Sequence, residues 1–412
     1  MENKTLLGPY RVLDLCNETG ALCGKIFADL GADVIRIEKP GGDSSRKVGP
    51  FYHDESGPEK SLFWFSCNTS KRGITLDIET EEGREIFKKL VKTADFVFET
   101  FPPGRMSDLG LGHEELCQIR PEIIMTSITP FGQTGPYKDF KTSDLVALGM
   151  GGVMRLAGDP DQAPLRFSVE QAYSQTGAQT AAATMIALHH RQLTSEGQHL
   201  DSSIQECCIG FGMSVQQWEL AQIISTRQGI KVERAGLKPR LIWNCKDGYV
   251  SWRLYTADQG VKTNAIVDCM REWGEMEPEV ENADFTTMDF NFVSEEELET
   301  WEAGFAKFFA KHTKDELYGE AAKRDIMLFP INDTEDLLNN VQLTDRQYWV
   351  NVEHPELGET IIYPGAPFKT TETSWQISRR APLVGEHNEE IYEKELGMTK
   401  QQLSGLKEQG VI

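Results

Sequence analysis

The chain has 412 residues, 39% of them apolar, with 42 Lys+Arg against 64 Asp+Glu and a formal charge of -22. That length allows a large core and two domains. So acidic a surface repels nucleic-acid phosphates and anionic lipid, which excludes both as general partners but leaves room for a local positive pocket.

The opening MENKTLLGPYRVLDL lacks a basic region followed by an apolar one, so no signal peptide is expected. No stretch approaches the roughly 18 apolar residues of a membrane span. The eight cysteines form no C-x-x-C pair, and the eight histidines do not cluster at ligand spacing. These features predict a cytoplasmic protein with buried free thiols and no metal.

In chain order, Arg11–Leu15 is predicted to be a buried strand. Leu22, Ile26, Phe27 and Leu30 then recur at helical spacing, and Gly31 stops that helix. Asp33–Glu38 is a second strand and Gly73–Ile78 a third. Thr80 is placed to cap the next helix, with Glu81 and Glu82 where the dipole favours acids. Strands at 96–98 and 123–125 follow. This alternation predicts a parallel sheet wrapped by helices. Residues 170–191 read as a long helix rich in Ala, Gly and Ser, suited to close packing against another helix or another chain. The tryptophans at 243, 252, 273 and 301 and the acidic helix start at Ser294 mark a different, smaller domain. A turn-rich stretch at 363–367 and a closing helix over 388–396 end the pattern. Asp201-Ser202-Ser203 reads as a helix start.

Standard site motifs are missing. The first strand-helix turn, 17–24, has two glycines in the wrong places for G-x-G-x-x-G, although Glu38 stands where a ribose-binding acid would. There is no phosphate-binding G-x-x-x-x-G-K-[ST] loop and no G-x-S-x-G elbow. His199 with Asp201-Ser202-Ser203 does not have the spacing of a triad.

Longer segments carry a resemblance. LLGPYRVLDL, FADLGADVIRIEKPGGDSSR, NTSKRGITLDIETEEGREIFKKLVKTADFVFETFPPG, LGLGHEELCQIRPEIIMTSITPFGQTGPY, GQHLDSSIQE and RRAPLVGEHNEEIY together resemble the class III CoA-transferases, in family order and spacing. The resemblance implies a large Rossmann-like α/β domain with a parallel sheet built from both chain ends (1–225 and 336–412), a small α+β domain inserted at 226–335, and two chains threaded through each other. It implies transfer of coenzyme A between carboxylic acids, with no covalently bound cofactor. In that chemistry an enzyme carboxylate attacks the donor thioester, forms a mixed anhydride, and then becomes an enzyme thioester. The family also contains acyl-CoA racemases.

The family's nucleophile is an aspartate four residues before a glycine. Four residues before Gly177 the chain has Tyr173. A phenol, with a reference pKa of about 10, is protonated at neutral pH and has no carbonyl carbon for CoA to attack. Glu170, three residues earlier, is the nearby carboxylate that stands as a substitute. Other positions depart from the family pattern: Asp108 where an arginine contacts CoA, Thr100 in place of an asparagine, and Ala21 in place of a proline. Lys39, Lys141 and Asp144 persist where the family frames its CoA pocket. The expectation is a heteromeric CoA-transferase subunit without the nucleophile, interlocked with a homologous catalytic subunit. The two-subunit precedent is benzylsuccinate CoA-transferase of anaerobic toluene breakdown. A self-sufficient enzyme using Glu170, a racemase and a non-enzymatic scaffold are the alternatives.

Overall fold

The computed structural model describes residues 5–210, 214–373 and 375–412. It divides into two compact units, one of residues 1–154, 166–215 and 345–412, the other of 155–165 and 216–344.

The first unit is built on a six-stranded sheet. Its elements begin with β1 (Arg11–Leu15), α1 (Ala21–Asp29), β2 (Asp33–Glu38), α2 (Leu62–Cys67), β3 (Arg72–Thr75), α3 (Glu81–Val91) and β4 (Phe96–Glu99). They continue with α4 (Arg105–Asp108), α5 (His113–Ile119), β5 (Ile124–Thr129), α6 (Asp144–Met150), α7 (Ala172–Thr194), β6 (Gln198–Ser203) and α8 (Ile204–Ile209). The order is β3-β2-β1-β4-β5-β6, and all the pairings are parallel. The central strands β1, β2, β4 and β5 are therefore buried on both faces, while the edge strand β6 is polar and partly exposed. Val12, Val34, Phe96 and Phe98 meet Phe27 of α1 and Leu188 of α7 on one side. Leu13, Ile35, Val97 and Met125 meet Ile86 and Phe87 of α3 and Leu116 of α5 on the other.

Local chemistry sets the ends of these elements. Gly31 takes φ +97 after α1, a conformation that L side chains rarely adopt. Thr80 accepts from the Gly83 amide and so caps α3. The third strand is shorter than the predicted 73–78. Its neighbour β2 ends at Glu38, and beyond the Leu76 amide, which still reaches the Glu38 carbonyl, the Asp77 amide turns to the Val411 carbonyl. The small residues of α7 are explained by α1: a Cβ on Gly177 would lie 2.8 Å from Leu22 Cβ and 3.2 Å from the Cys23 amide nitrogen. The 201–203 stretch ends β6 and leads straight into the expected helix, α8, which Ser203 caps.

The chain returns to the edge of this sheet after an antiparallel hairpin, β10 (Trp349–His354) with β11 (Glu359–Pro364). Edge strand β3 would otherwise expose unpaired backbone groups. The Ser70 amide donates to the Arg379 carbonyl, Gly73 to His387 Nδ1 and Thr75 to Asn388 Oδ1, while Tyr392 donates its hydroxyl to the Thr75 carbonyl at 2.6 Å. The predicted closing helix is a π-type segment, Glu390–Glu395, followed by a further helix, Lys400–Glu408.

The second unit holds a small antiparallel sheet, β7 (Ile242–Cys245), β8 (Gly248–Ser251) and β9 (Phe329–Ile331), against helices Gly260–Glu272, Glu295–Phe309 and Lys314–Lys323. Trp243, Trp252, Phe285, Phe305 and Phe309 form its aromatic core. Ser294 and Glu297 close a capping box at the acidic helix start.

Two buried ionisable sites in the first unit make testable demands on stability. Lys71, fully buried, donates to Asp14 Oδ2 at 2.8 Å, to Asn68 Oδ1 at 2.9 Å and to the Ala21 carbonyl at 3.1 Å. Burial opposes ionisation of Asp14, but Lys71 and Arg36 outweigh it and hold the carboxyl below its ordinary range. Removing the lysine charge strands a buried carboxylate. Lys71→Met is expected to lower the unfolding free energy by about 3–5 kcal/mol, read by urea denaturation, and adding Asp14→Leu is expected to restore most of it. Glu99, at the end of β4, is 3% exposed, and burial pushes its carboxyl up to about 7 against the offsetting Ser127 hydroxyl and Phe101 amide. From about pH 4.3, where an unfolded glutamate ionises, to about 7 the folded state holds the extra proton, so stability falls as pH rises. Glu99→Gln is expected to flatten that slope in unfolding curves measured across this range.

Candidate functional site

The strand order reverses between the sheet neighbours β1 and β4, and ligands of open parallel sheets bind beside the carboxyl ends of strands at such a point. Here the loop after β1 is held to the loop after β4 by the Asn17 amide, which donates to Thr100 Oγ1 at 2.9 Å. A Cβ on Gly20 would lie 2.9 Å from both Thr100 Cγ2 and Ile128 Cδ1, so this turn requires glycine's small size.

Next to this turn lies a cavity of about 630 Å³. Leu22, Val48, Leu62, Phe63 and Val169 give it apolar walls, and Glu18, Arg166, Glu170 and Tyr173 give it polar ones. Tyr173 is placed by the first turn of α7. The first amides of a helix have no partner within it. Here Asp144 Oδ1 accepts from the Ala172 amide at 2.7 Å and from the Tyr173 amide at 3.4 Å. Asp144 itself opens α6, which Ser143 caps. One carboxylate thus fixes residue 173 relative to α6.

The electrostatics of the cavity favour neutral forms. Burial, followed by Glu170, Asp144 and Glu18, pushes the Tyr173 phenol up to about 12. The Glu170 carboxyl is also raised, first by burial and then by Asp144 and Glu18. Tyr173 therefore offers a hydroxyl that donates and accepts hydrogen bonds but is not a nucleophile at neutral pH. Glu170 supplies a carboxyl group on the same wall.

The structure brings Tyr173, Glu170 and Asp144 together. Lys39 and Lys141 are not among the residues lining this cavity. Lys39 follows β2 and lies 3.3 Å from Glu79 and 4.0 Å from Asp77, while Arg105 adds a second cation 3.2 Å from Glu79. Lys141 is exposed ahead of α6, and Asp108 is exposed at the end of α4. The wall residues Glu18, Arg166 and Cys67 carry no spacing signal, since they come from a turn, an irregular loop and a helix end separated by long stretches of chain.

A second cavity, of about 380 Å³, lies at Glu99, Ser127, His113 and His199. The Ser127 hydroxyl and His199 Nε2 are 2.8 Å apart, and the His113 and His199 rings stack with centroids 5.7 Å apart. His199 is thus paired with a serine on β5 rather than with Ser202 or Ser203. Among the described residues, no group of three or more His, Cys, Asp and Glu is arranged to hold a metal ion, and no helix is long and apolar enough to cross a membrane.

The family model described as CoA-transferase family III matches residues 7–388. The chain is 36% identical over 387 residues to the succinyl-CoA:(R)-benzylsuccinate CoA-transferase subunit BbsE of Thauera aromatica, across 93% of this chain and 92% of that one. It is 30% identical over 410 residues to the succinyl-CoA–D-citramalate CoA-transferase of Chloroflexus aurantiacus, across 98% of each. The crystal structure of a CaiB/BaiF family protein from Brucella suis matches with a TM-score of 0.81 at 28% identity, covering 95% of this chain and 100% of that one. With a family match over most of its length and the same fold in a solved relative, this chain belongs to CoA-transferase family III.

Proposed function

We propose that this chain is the subunit without a nucleophile in a heteromeric CoA-transferase, interlocked with a homologous subunit that carries the aspartate. The observation that carries the reading is Tyr173. It occupies the first turn of α7 on a cavity wall, and its phenol is pushed away from ionisation. An acyl-transferring nucleophile here must be a carboxyl group, because it carries the acyl and thiol partners in turn. In the proposed complex the partner's aspartate does this, with a coenzyme A thioester and a free carboxylic acid as substrates. This chain contributes architecture and one wall of a site.

Two further features support a partner. BbsE, the similar protein from Thauera aromatica, is itself a subunit. The first unit also exposes large apolar side chains: Phe140 at 54%, Ile186 at 71% and Leu193 at 74%. Burial of these side chains against the proposed partner would remove apolar surface from water. For substrates we propose succinyl-CoA as donor and an apolar-substituted dicarboxylic acid, with (R)-benzylsuccinate as the first to test. The similarity to BbsE and the apolar walls at Leu22, Leu62 and Phe63 support that choice.

A second reading has its own observation. Glu170 lines the same cavity as Tyr173 and supplies a carboxyl group there, which would let the chain act alone with Glu170 as nucleophile, although its raised pKa disfavours the attacking carboxylate. Its carboxyl is three residues from the family position, and a misplacement of about 1 Å can already cost about 100-fold in rate.

Thioester exchange between succinyl-CoA and benzylsuccinate separates the two. The purified chain is expected to show none above background, and reconstitution with a homologous subunit bearing the aspartate is expected to produce it. Glu170→Gln in that complex is expected to change kcat by less than about threefold, whereas activity of the isolated chain that disappears in Glu170→Gln would establish the second reading instead.

A further inference from the structure

The second unit carries a concentration of positive charge that the CoA-transferase reading does not use. A cleft of about 260 Å³ is lined by Arg155, Arg227, Lys231 and Lys238, with Glu233 as the one acid among its lining residues. The whole chain carries a formal charge of -22, so a cluster of this sign needs a local cause.

The backbone supplies it. The stretch 230–241 folds back on itself, with Lys231 bridged to Arg240 and Arg234 to Leu237. In this register side chains alternate between faces, so Lys231, Glu233 and Lys238 share one. Arg227 is anchored beneath them. Its Nε donates to the Asp159 carbonyl at 3.1 Å, Nη1 to the Arg155 carbonyl at 3.1 Å and Nη2 to the Gln162 carbonyl at 2.8 Å.

These acceptors are neutral. They fix the guanidinium without cancelling its charge, and two of its five N–H groups stay free. Among the described residues, none of the four cations lies within 4.0 Å of a carboxylate oxygen, and Lys231 helps to ionise the carboxyl of Glu302. Elsewhere the chain pairs its cations closely, as with Arg46 and Glu38 at 2.7 Å. Asp159 turns its carboxyl toward Gly229 on the flank and is not among the lining residues.

We propose that this cleft is a binding site for a phosphate or diphosphate group. The fixed guanidinium suits two oxygens of one phosphate, and the two lysines act as point charges around it. The volume is below that of most small-molecule pockets, which fits the anionic group alone. The site rests on the cleft and not on the identity of the CoA-transfer substrates.

Isothermal titration calorimetry of the full chain with inorganic pyrophosphate at low ionic strength tests it. Saturable binding with one site is expected, weakening as salt is added. The double variant Lys231→Gln/Lys238→Gln is expected to lose about tenfold or more in affinity while its thermal unfolding stays unchanged, since neither lysine supports the core. Arg155→Gln gives an independent variant with the same expected direction. Adenosine 3′,5′-bisphosphate and pantetheine distinguish the source. Tighter binding of the bisphosphate, with none of pantetheine, assigns the cleft to the phosphates of a nucleotide-bearing ligand. Equal or weaker binding of the bisphosphate assigns it to free phosphate anions. No saturable binding of pyrophosphate, or equal binding by wild type and both variants, would overturn the site while leaving the CoA-transferase reading untouched.

Discussion

Lys71 is buried with its ammonium shared among the Asp14 carboxylate, the Asn68 amide oxygen and the Ala21 carbonyl. A charge in that position is tolerable because each of its three hydrogens has an acceptor and one acceptor is a carboxylate. The geometry constrains everything around it. Gly24 admits the pair: a Cβ there would lie 2.3 Å from Asp14 Oδ2 and 3.0 Å from Lys71 Nζ. Arg36 approaches from β2 and donates to the Asp14 carbonyl. The pair thus ties together β1, the first turn of α1 and the residues just before β3. Because α1 is fixed there, Leu22 reaches the cavity wall and also contacts Gly177 of α7. The ion pair thus fixes the α1 surface against which α7 packs, and Asp144 sets the first turn that carries Tyr173.

This dependence means that the scaffold around residue 173 does not rely on the side chain at that position. Nothing in the Lys71 cluster, the α1–α7 contact or the Asp144 cap requires a carboxylate at residue 173. Asp144 bonds the backbone amides of residues 172 and 173, which any side chain leaves in place. A tyrosine adds a ring that packs partly against the core of the first unit. Its hydroxyl then faces carboxylates at Glu18 and Glu170, which disfavour a phenolate. The site therefore keeps its shape and its helix start, while its charge pattern opposes a further anion beside Tyr173.

Where sequence signals were strong, they rested on short-range physics. The strands Arg11–Leu15 and Asp33–Glu38 are rich in Val, Ile and Leu and are separated by a helical pattern with a glycine stop, and the structure has them with those bounds. Thr80 caps its helix because a threonine before two glutamates has little else to do. The strand β6 was not legible. It is an edge strand with polar, partly exposed residues, so the apolar run that reveals a central strand is missing, and Ser203 signals the helix that follows it. The helix Lys400–Glu408 carries a readable mark, Thr399 with Gln402 as a capping box, but its polar composition gives only a weak apolar stripe. The cavity was half legible. Tyr173 and Glu170 stood out through the family pattern, whereas Glu18 and Arg166 become neighbours only when the sheet brings distant loops together.

The charge balance has a similar division between sequence and structure. A count of 42 basic and 64 acidic residues describes the far field of the protein but not where its cations are used. Several arginines act as internal staples. Arg46, 1% exposed, grips Glu38 with two nitrogens, donates to the Pro382 carbonyl and stacks over Trp64 with 3.7 Å to the ring centroid. Arg72 joins Asp33 to Glu390 and Glu395, fastening the returning chain to the sheet edge. A planar guanidinium can make such multiple bonds where an ammonium cannot. Cations spent on these links are neutralised at once, which leaves the surplus of acids to set the surface potential. Against that background Arg227 is different in kind. Three neutral carbonyls hold it in place of a carboxylate, so the groups that fix it do not cancel its charge.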